Sequence, residues 1–372
     1  MDPFIPVNLP KLYGNELQYL TQCIETGWIS SEGPFVAEFE RRFADRIGRK
    51  HAIAVSSGTA ALSVAIAALR LEPGSEVIVP TLMIISCVEA IMRNGLCPVL
   101  VDAEADTWNM AIADIEKNIT PRTRAILVAH LYGLPADMDP LQALADKHGL
   151  IIIEDAAEML GQTYKNRNCG TFGALSTFSF YPNKLITTGE GGMVVTDDDE
   201  FASRARRFRN LCFEPQRRFL HEEMGWNFRL TNLQAAVGLA QLEHLDEAIP
   251  RKRAIGRRYQ EGLSGLKSFE YPVAQTSFAD NIYWVYALVL TQEVPGDALD
   301  AMERLRLHGV GTRPFFWPMH EQPVFLRQGL FIGQSHPVAE RLARRGFYLP
   351  SGLGMTDGQI DTVIQRVREL FS

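Results

Sequence analysis

From residue 51 onward, apolar runs and helical patterns take turns along the chain. His51–Val55 reads as a strand and Gly58–Leu69 as an alanine-rich helix. Glu76–Val79 reads as a strand followed by a helix near Ile84–Arg93, and Pro98–Asp102 as a third strand, with Ile112–Asn118 the core of another helix. Ala125–Ala129 and Leu150–Ile153 are further strands, separated by a helix near Pro140–His148. Thr177–Phe180 and Met193–Val195, flanked by glycines, predict later strands of the same sheet. These strands are apolar without alternation. That pattern, alternating with helices, predicts an α/β fold whose mostly parallel sheet is covered on both faces.

The pattern changes at Thr231, where a helical stretch runs from Asn232 to about Leu263, with Pro250 expected to kink or divide it. An apolar strand (Tyr283–Leu290), a helix (Asp297–Leu307) and a closing helix (Asp357–Leu370) follow, the makings of a smaller α+β domain. The chain has 372 residues, more than one ordinary core needs. We therefore expect a large domain over residues 1–245 and a small one over 246–372. A hydrophobic fraction of 46% with 22% charged residues is that of a globular protein, and a net charge of -7 argues against a nucleic-acid partner. Five scattered cysteines without C-x-x-C spacing suggest neither a disulfide framework nor a metal site. No signal-like segment or membrane-length apolar run is present, so the expectation is a cytoplasmic protein with no membrane partner.

Four segments carry candidate chemistry. Ser56-Ser57-Gly58-Thr59 stands where a strand ends and a helix begins, a position that offers free N–H groups to a phosphate. Taken alone, it reads more readily as an ordinary N-cap. Ile151-Ile152-Ile153-Glu154-Asp155-Ala156-Ala157-Glu158 delivers carboxylates at the C-terminal end of a buried strand, where ligands of doubly wound sheets bind. Asp155 there needs a cation, which a protonated pyridine nitrogen or an arginine would equally supply. Ser179-Phe180-Tyr181-Pro182-Asn183-Lys184 sets one lysine between an aromatic strand and a glycine-rich segment, although a lone lysine is usually a solvated one. Gly225-Trp226-Asn227-Phe228-Arg229-Leu230-Thr231-Asn232 compresses polar groups among aromatics, or simply caps the following helix.

Together and in this order, the four segments resemble the DegT/DnrJ/EryC1/StrS family of pyridoxal-phosphate sugar aminotransferases, over nearly the whole chain. The resemblance implies the aspartate-aminotransferase fold (fold type I): a large seven-stranded α/β/α domain with a smaller C-terminal α+β domain. It implies pyridoxal 5'-phosphate as cofactor, with Lys184 as the Schiff-base lysine and Asp155 as the partner of the pyridine nitrogen. Glu158 matches a residue beside the ring. Gly58, Thr59 and Ser179 match phosphate contacts, with Ser57 adjacent. Asn227 matches a phosphate contact from the other subunit, implying a homodimer with shared active sites.

Four further segments resemble one branch of the family, whose members use L-glutamate to aminate C4 of a GDP-linked 4-keto-6-deoxy sugar. They are Trp28-Ile29-Ser30-Ser31, His130-Leu131-Tyr132-Gly133, Asn183 to Gly192, and Arg313-Pro314-Phe315-Phe316-Trp317-Pro318-Met319-His320. Tyr181-Pro182, Ile84 and the segment 212–218 depart from that branch. The physical demands of such a substrate point to Arg217, Arg218 and Arg313 for a diphosphate and to Trp28 or Trp317 as a flat surface for guanine. Ser30 and His320 complete the candidate substrate contacts. Two rivals are a UDP- or dTDP-sugar aminotransferase and a non-catalytic sensor on the same fold. A related dehydratase would carry histidine where Lys184 stands.

Overall fold

The computed structural model describes residues 4–214 and 217–372. Seven strands make the central sheet: β1 (His51–Val55), β2 (Glu76–Pro80), β3 (Cys97–Val101), β4 (Thr123–Ala129), β5 (Ile151–Asp155), β8 (Leu175–Ser179) and β9 (Gly192–Thr196). A two-residue hairpin, β6 (Thr163–Tyr164) and β7 (Arg167–Asn168), interrupts the path from β5 to β8. The strand order is β1-β9-β8-β5-β4-β2-β3, and β9 alone runs antiparallel to its neighbours. Helices α1 (Glu16–Thr26), α2 (Pro34–Ile47), α5 (Met138–His148) and α7 (Asn232–Glu243) pack one face. Helices α3 (Gly58–Leu69), α4 (Ile85–Arg93) and α6 (Asp199–Phe208) pack the other. This α/β/α layering explains why the strands are apolar on both sides. It also explains α3, which is apolar all round because the sheet lies on one side of it and α4 and α6 on the other.

The smaller C-terminal domain is built on an antiparallel sheet, β10 (Phe269–Glu270), β11 (Tyr286–Leu290), β12 (Arg313–Pro314) and β13 (Gly346–Leu349), in the order β10-β11-β13-β12. Helices α8 (Leu245–Leu263), α9 (Ala298–Leu307) and α12 (Asp357–Phe371) close its core around Tyr259, Tyr286, Leu288, Phe347 and Ile360. Local capping explains where α7, α9 and α12 begin: Thr231, Asp297 and Thr356 each form a capping box with the residue three positions on. Ile5 belongs to this core and bridges to Val310, so the N-terminal segment reaches across to the small domain. In the reverse direction, α10 (Pro323–Leu326) and α11 (Pro337–Arg345) return to the large domain, where Asp102 accepts from the N–H groups of Val338 and Ala339.

Three expected elements differ. Residues 112–118 form two single 3-10 turns, because only Ile115 is buried and the residue before Pro121 must be extended. The long helix breaks at His244, not at Pro250, which lies inside α8. The carbonyl that Pro250 leaves without a helical donor is that of Asp246, an exposed residue whose carbonyl water can satisfy. The expected strand over 283–290 begins only at Tyr286. Tyr283 adopts a left-handed φ of 54°, which turns the chain so that Trp284 walls a cavity.

Candidate active site

A cavity of about 600 Å³ opens at the C-terminal ends of the parallel strands, where the large domain meets the small one. Ser57, Gly58, Thr59, Asp155, Glu158, Ser179 and Lys184, expected on separate segments, all line it. Ser57 caps α3, its hydroxyl accepting from the N–H of Ala60. The N–H groups of Gly58 and Thr59, in the first turn of the helix, are therefore left to face a ligand. A Cβ on Gly58 would lie 2.8 Å from the Ser179 Cβ, so only glycine lets the α3 N-terminus and the end of β8 meet. The Thr59 hydroxyl shares a hydrogen bond with Ser86 at 2.8 Å. These hydroxyls and backbone donors have the chemistry that suits a phosphate.

Asp155 ends β5. Its carboxylate accepts from the Ala157 N–H (3.1 Å), the Thr177 hydroxyl (3.5 Å) and the Cys87 thiol (3.2 Å). Among the described residues no cation pairs with this buried carboxylate, and a buried charge without a counter-ion is costly. A protonated pyridine nitrogen fits that need. Lys184 follows β8 with 13% of its side chain exposed. Its Nζ lies 4.0 Å from Glu158 Oε1 and 3.9 Å from the centre of the Trp284 ring. Burial holds the lysine below its usual pKa, opposed by Glu158 and Asp155. Burial also raises Glu158, against the pull of Lys184 and of the Tyr132 N–H that Glu158 accepts at 2.6 Å. A lysine with a depressed pKa is the form that attacks a carbonyl.

The donors to Asp155 (Thr177, Cys87) and the aromatic wall of Tyr132, Trp284, Phe315 and Tyr348 were not singled out for these roles from the sequence. Tyr132 has a φ of 54° and stacks on Phe315 (4.3 Å between ring centres), Phe316 and Trp284. Tyr132 and Phe315 had entered only as members of the His130-Leu131-Tyr132-Gly133 and Arg313-to-His320 segments.

The candidate substrate residues divide. Arg313 and Trp317 line the cavity. Trp28 and Ser30 do not: their carbonyls accept from Asn232 over the start of α7. His320 is buried away from the cavity, hydrogen-bonded to Thr81 (2.8 Å) and Glu340 (3.1 Å), which accounts for both of its ring nitrogens. Asn227 also stands outside this chain's cavity, its side chain accepting from Arg229. Arg217 and Arg218 are exposed, Arg218 lying over Phe213, and Pro215 and Gln216 of the same segment lie outside the described residues.

A buried lysine and a counter-ion-seeking carboxylate, set across from a phosphate cradle on this α/β/α frame, define a pyridoxal-phosphate-dependent aminotransferase of fold type I. The chain belongs to the DegT/DnrJ/EryC1/StrS aminotransferase family, whose sequence profile matches residues 10–368. It is 40% identical over 373 residues to the GDP-perosamine synthase of Escherichia coli O157:H7, covering 99% of each chain. It is 41% identical over 369 residues to the GDP-perosamine synthase of Caulobacter vibrioides, again covering 99% of each. The crystal structure of DesV from S. venezuelae superposes with a TM-score of 0.91 at 35% identity, covering 100% of this chain and 99% of that one.

Proposed function

We propose that this enzyme moves an amino group from L-glutamate to C4 of a nucleotide-linked 4-keto-6-deoxy sugar, GDP-4-keto-6-deoxymannose, giving GDP-perosamine. The observation that carries the substrate is the near-full-length similarity to two GDP-perosamine synthases. Pyridoxal 5'-phosphate, when bound, supplies the electron sink for amino-group transfer. Gly58, Thr59 and Ser179 would hold its phosphate, Asp155 would keep its ring nitrogen protonated, and Glu158 would pack beside the ring. Lys184 would hold the cofactor's aldehyde carbon and would carry protons at Nζ, while the aromatic wall excludes water. Arg313, at the cavity mouth without an ion-pair partner among the described residues, is the cation for the substrate's anionic groups.

The enzyme acts as a homodimer with shared sites. Asn227 does not line its own chain's cavity, and Ile24, Trp28, Ile29, Phe219, Leu220 and Met224 are exposed apolar side chains of the kind a partner covers. Among the described residues no helix is long and apolar enough to cross a membrane, and the five free cysteines suit a reducing cytoplasm. The deciding experiment compares kcat/KM for GDP-4-keto-6-deoxymannose with UDP- and dTDP-linked 4-keto-6-deoxyglucose. A preference for either competitor by about tenfold, about 1.4 kcal/mol of transition-state binding, overturns the GDP assignment and leaves the aminotransferase intact. Sedimentation, with mixing of Lys184→Ala and Asn227→Ala protomers, tests the shared site; a fully active monomer rules it out.

A further inference from the structure

Lys252 is a buried lysine that the chemistry above leaves unused. It lies on α8 with 4% exposure, and its Nζ donates to the Ser351 carbonyl of the small domain. No carboxylate pairs with it among the described residues. Burial alone pushes its pKa down to about 7, so a lysine here works against stability. Two small cavities, about 10 Å³ each and so the size of one water molecule, lie between Lys252 and the loop that carries Lys184. The charged groups facing them are Glu158, Lys184 and Lys11.

A second group in the same place lacks a partner among the described residues. Asn183, the residue before Lys184, has a buried side-chain oxygen that accepts no hydrogen bond, and it lines one of these two cavities together with Lys252. The rest of the loop is already tied down: Trp284 Nε1 donates to the Asn183 carbonyl at 3.1 Å, and Asn8 donates to the Pro182 carbonyl at 2.8 Å. Asn183 also lines the large cavity, but only in this small space does it meet Lys252, and there an amine with spare donors and an amide whose oxygen has none complete each other through one water.

We propose that Lys252 is a positioning residue for Lys184, joined through a bridging water to Asn183 and so holding the loop of the reacting lysine against the small domain. This rests on Lys184 being the reacting lysine. The bridge makes α8 and the 351 loop part of the support for the site, and it gives the buried amine a reason to be retained.

The test uses the full-length apoenzyme, measuring the rate at which Lys184 captures added pyridoxal, trapped by borohydride and located by peptide mapping. The thermal unfolding midpoint is measured alongside. Lys252→Met is expected to raise Tm, since it removes a buried amine, and to slow capture by about tenfold or more. Asn183→Ala is expected to slow it equally, and the double variant no further, because both changes break one bridge. Unchanged capture in Lys252→Met, or slowing that multiplies in the double variant, overturns the proposal. Should Lys252→Met not fold, Asn183→Ala alone decides: unchanged capture refutes the bridge. A wild-type protein that captures no pyridoxal at Lys184 overturns the functional reading itself, a result distinct from either variant outcome.

Discussion

The carboxylate of Glu154, one residue before Asp155, offers a sharp test of how the site is held. Alternation along β5 sends Glu154 to the opposite face from Asp155. There it is fully buried and accepts from the N–H groups of Gly170, Phe172 and Gly173, from the Ser176 hydroxyl and from His130 Nε2. Burial by itself would raise its pKa; the hydrogen bond and proximity of His130, with the backbone donors, outweigh this and hold it at about 2 instead of 4.5. The sign follows from that direction. The folded state prefers the ionised form, so the contribution is fully present above about pH 4.5 and is lost as pH falls toward about 2. At 1.36 kcal/mol for each tenfold step, the gap corresponds to about 3 kcal/mol. Glu154→Gln keeps one acceptor and turns an NH2 group toward donors, so it should lose about that much at neutral pH. Urea unfolding of both proteins between about pH 7 and about pH 3 measures it, with the difference shrinking at the acid end. A loss below about 1 kcal/mol, or one independent of pH, would falsify the claim that these donors stabilise the ionised carboxylate.

Three further outcomes are expected. Lys184→Ala should abolish the yellow colour of the loaded protein and lower kcat by at least about 10³-fold; normal turnover would remove the central assignment. Asp155→Asn should keep the cofactor but slow proton abstraction by about 10² or more, seen as lower kcat in both half-reactions, and an unaltered rate would leave Asp155 a structural role only. In Gly58→Ala the new Cβ meets Ser179 at 2.8 Å and should destabilise the protein by about 1–3 kcal/mol. It should also speed cofactor loss on dialysis, followed by absorbance; retention equal to wild type would show that the phosphate does not sit in this cradle.

What the sequence determined by itself is what depends on near neighbours. The apolar runs of β2, β4 and β5 and the serine cap of α3 act within a few residues, so their pattern was legible. Asp155, the last residue of β5, and Lys184, on the loop after β8, were legible because each stands at or just past an apolar strand. The tertiary structure decided what depends on distant partners. His320, expected at the substrate, has its two nitrogens hydrogen-bonded to Thr81 and Glu340, 239 and 20 residues away. The backbone carbonyls of Trp28 and Ser30 accept from Asn232, across some two hundred residues. Trp284 reads as strand by hydrophobicity, yet the left-handed turn at Tyr283 brings it over Lys184. Cys87 and Thr177 carry no mark of their tie to Asp155. A side chain's role in such a site is set by which strand ends and helix starts the sheet order brings together, and that order is a property of the whole chain.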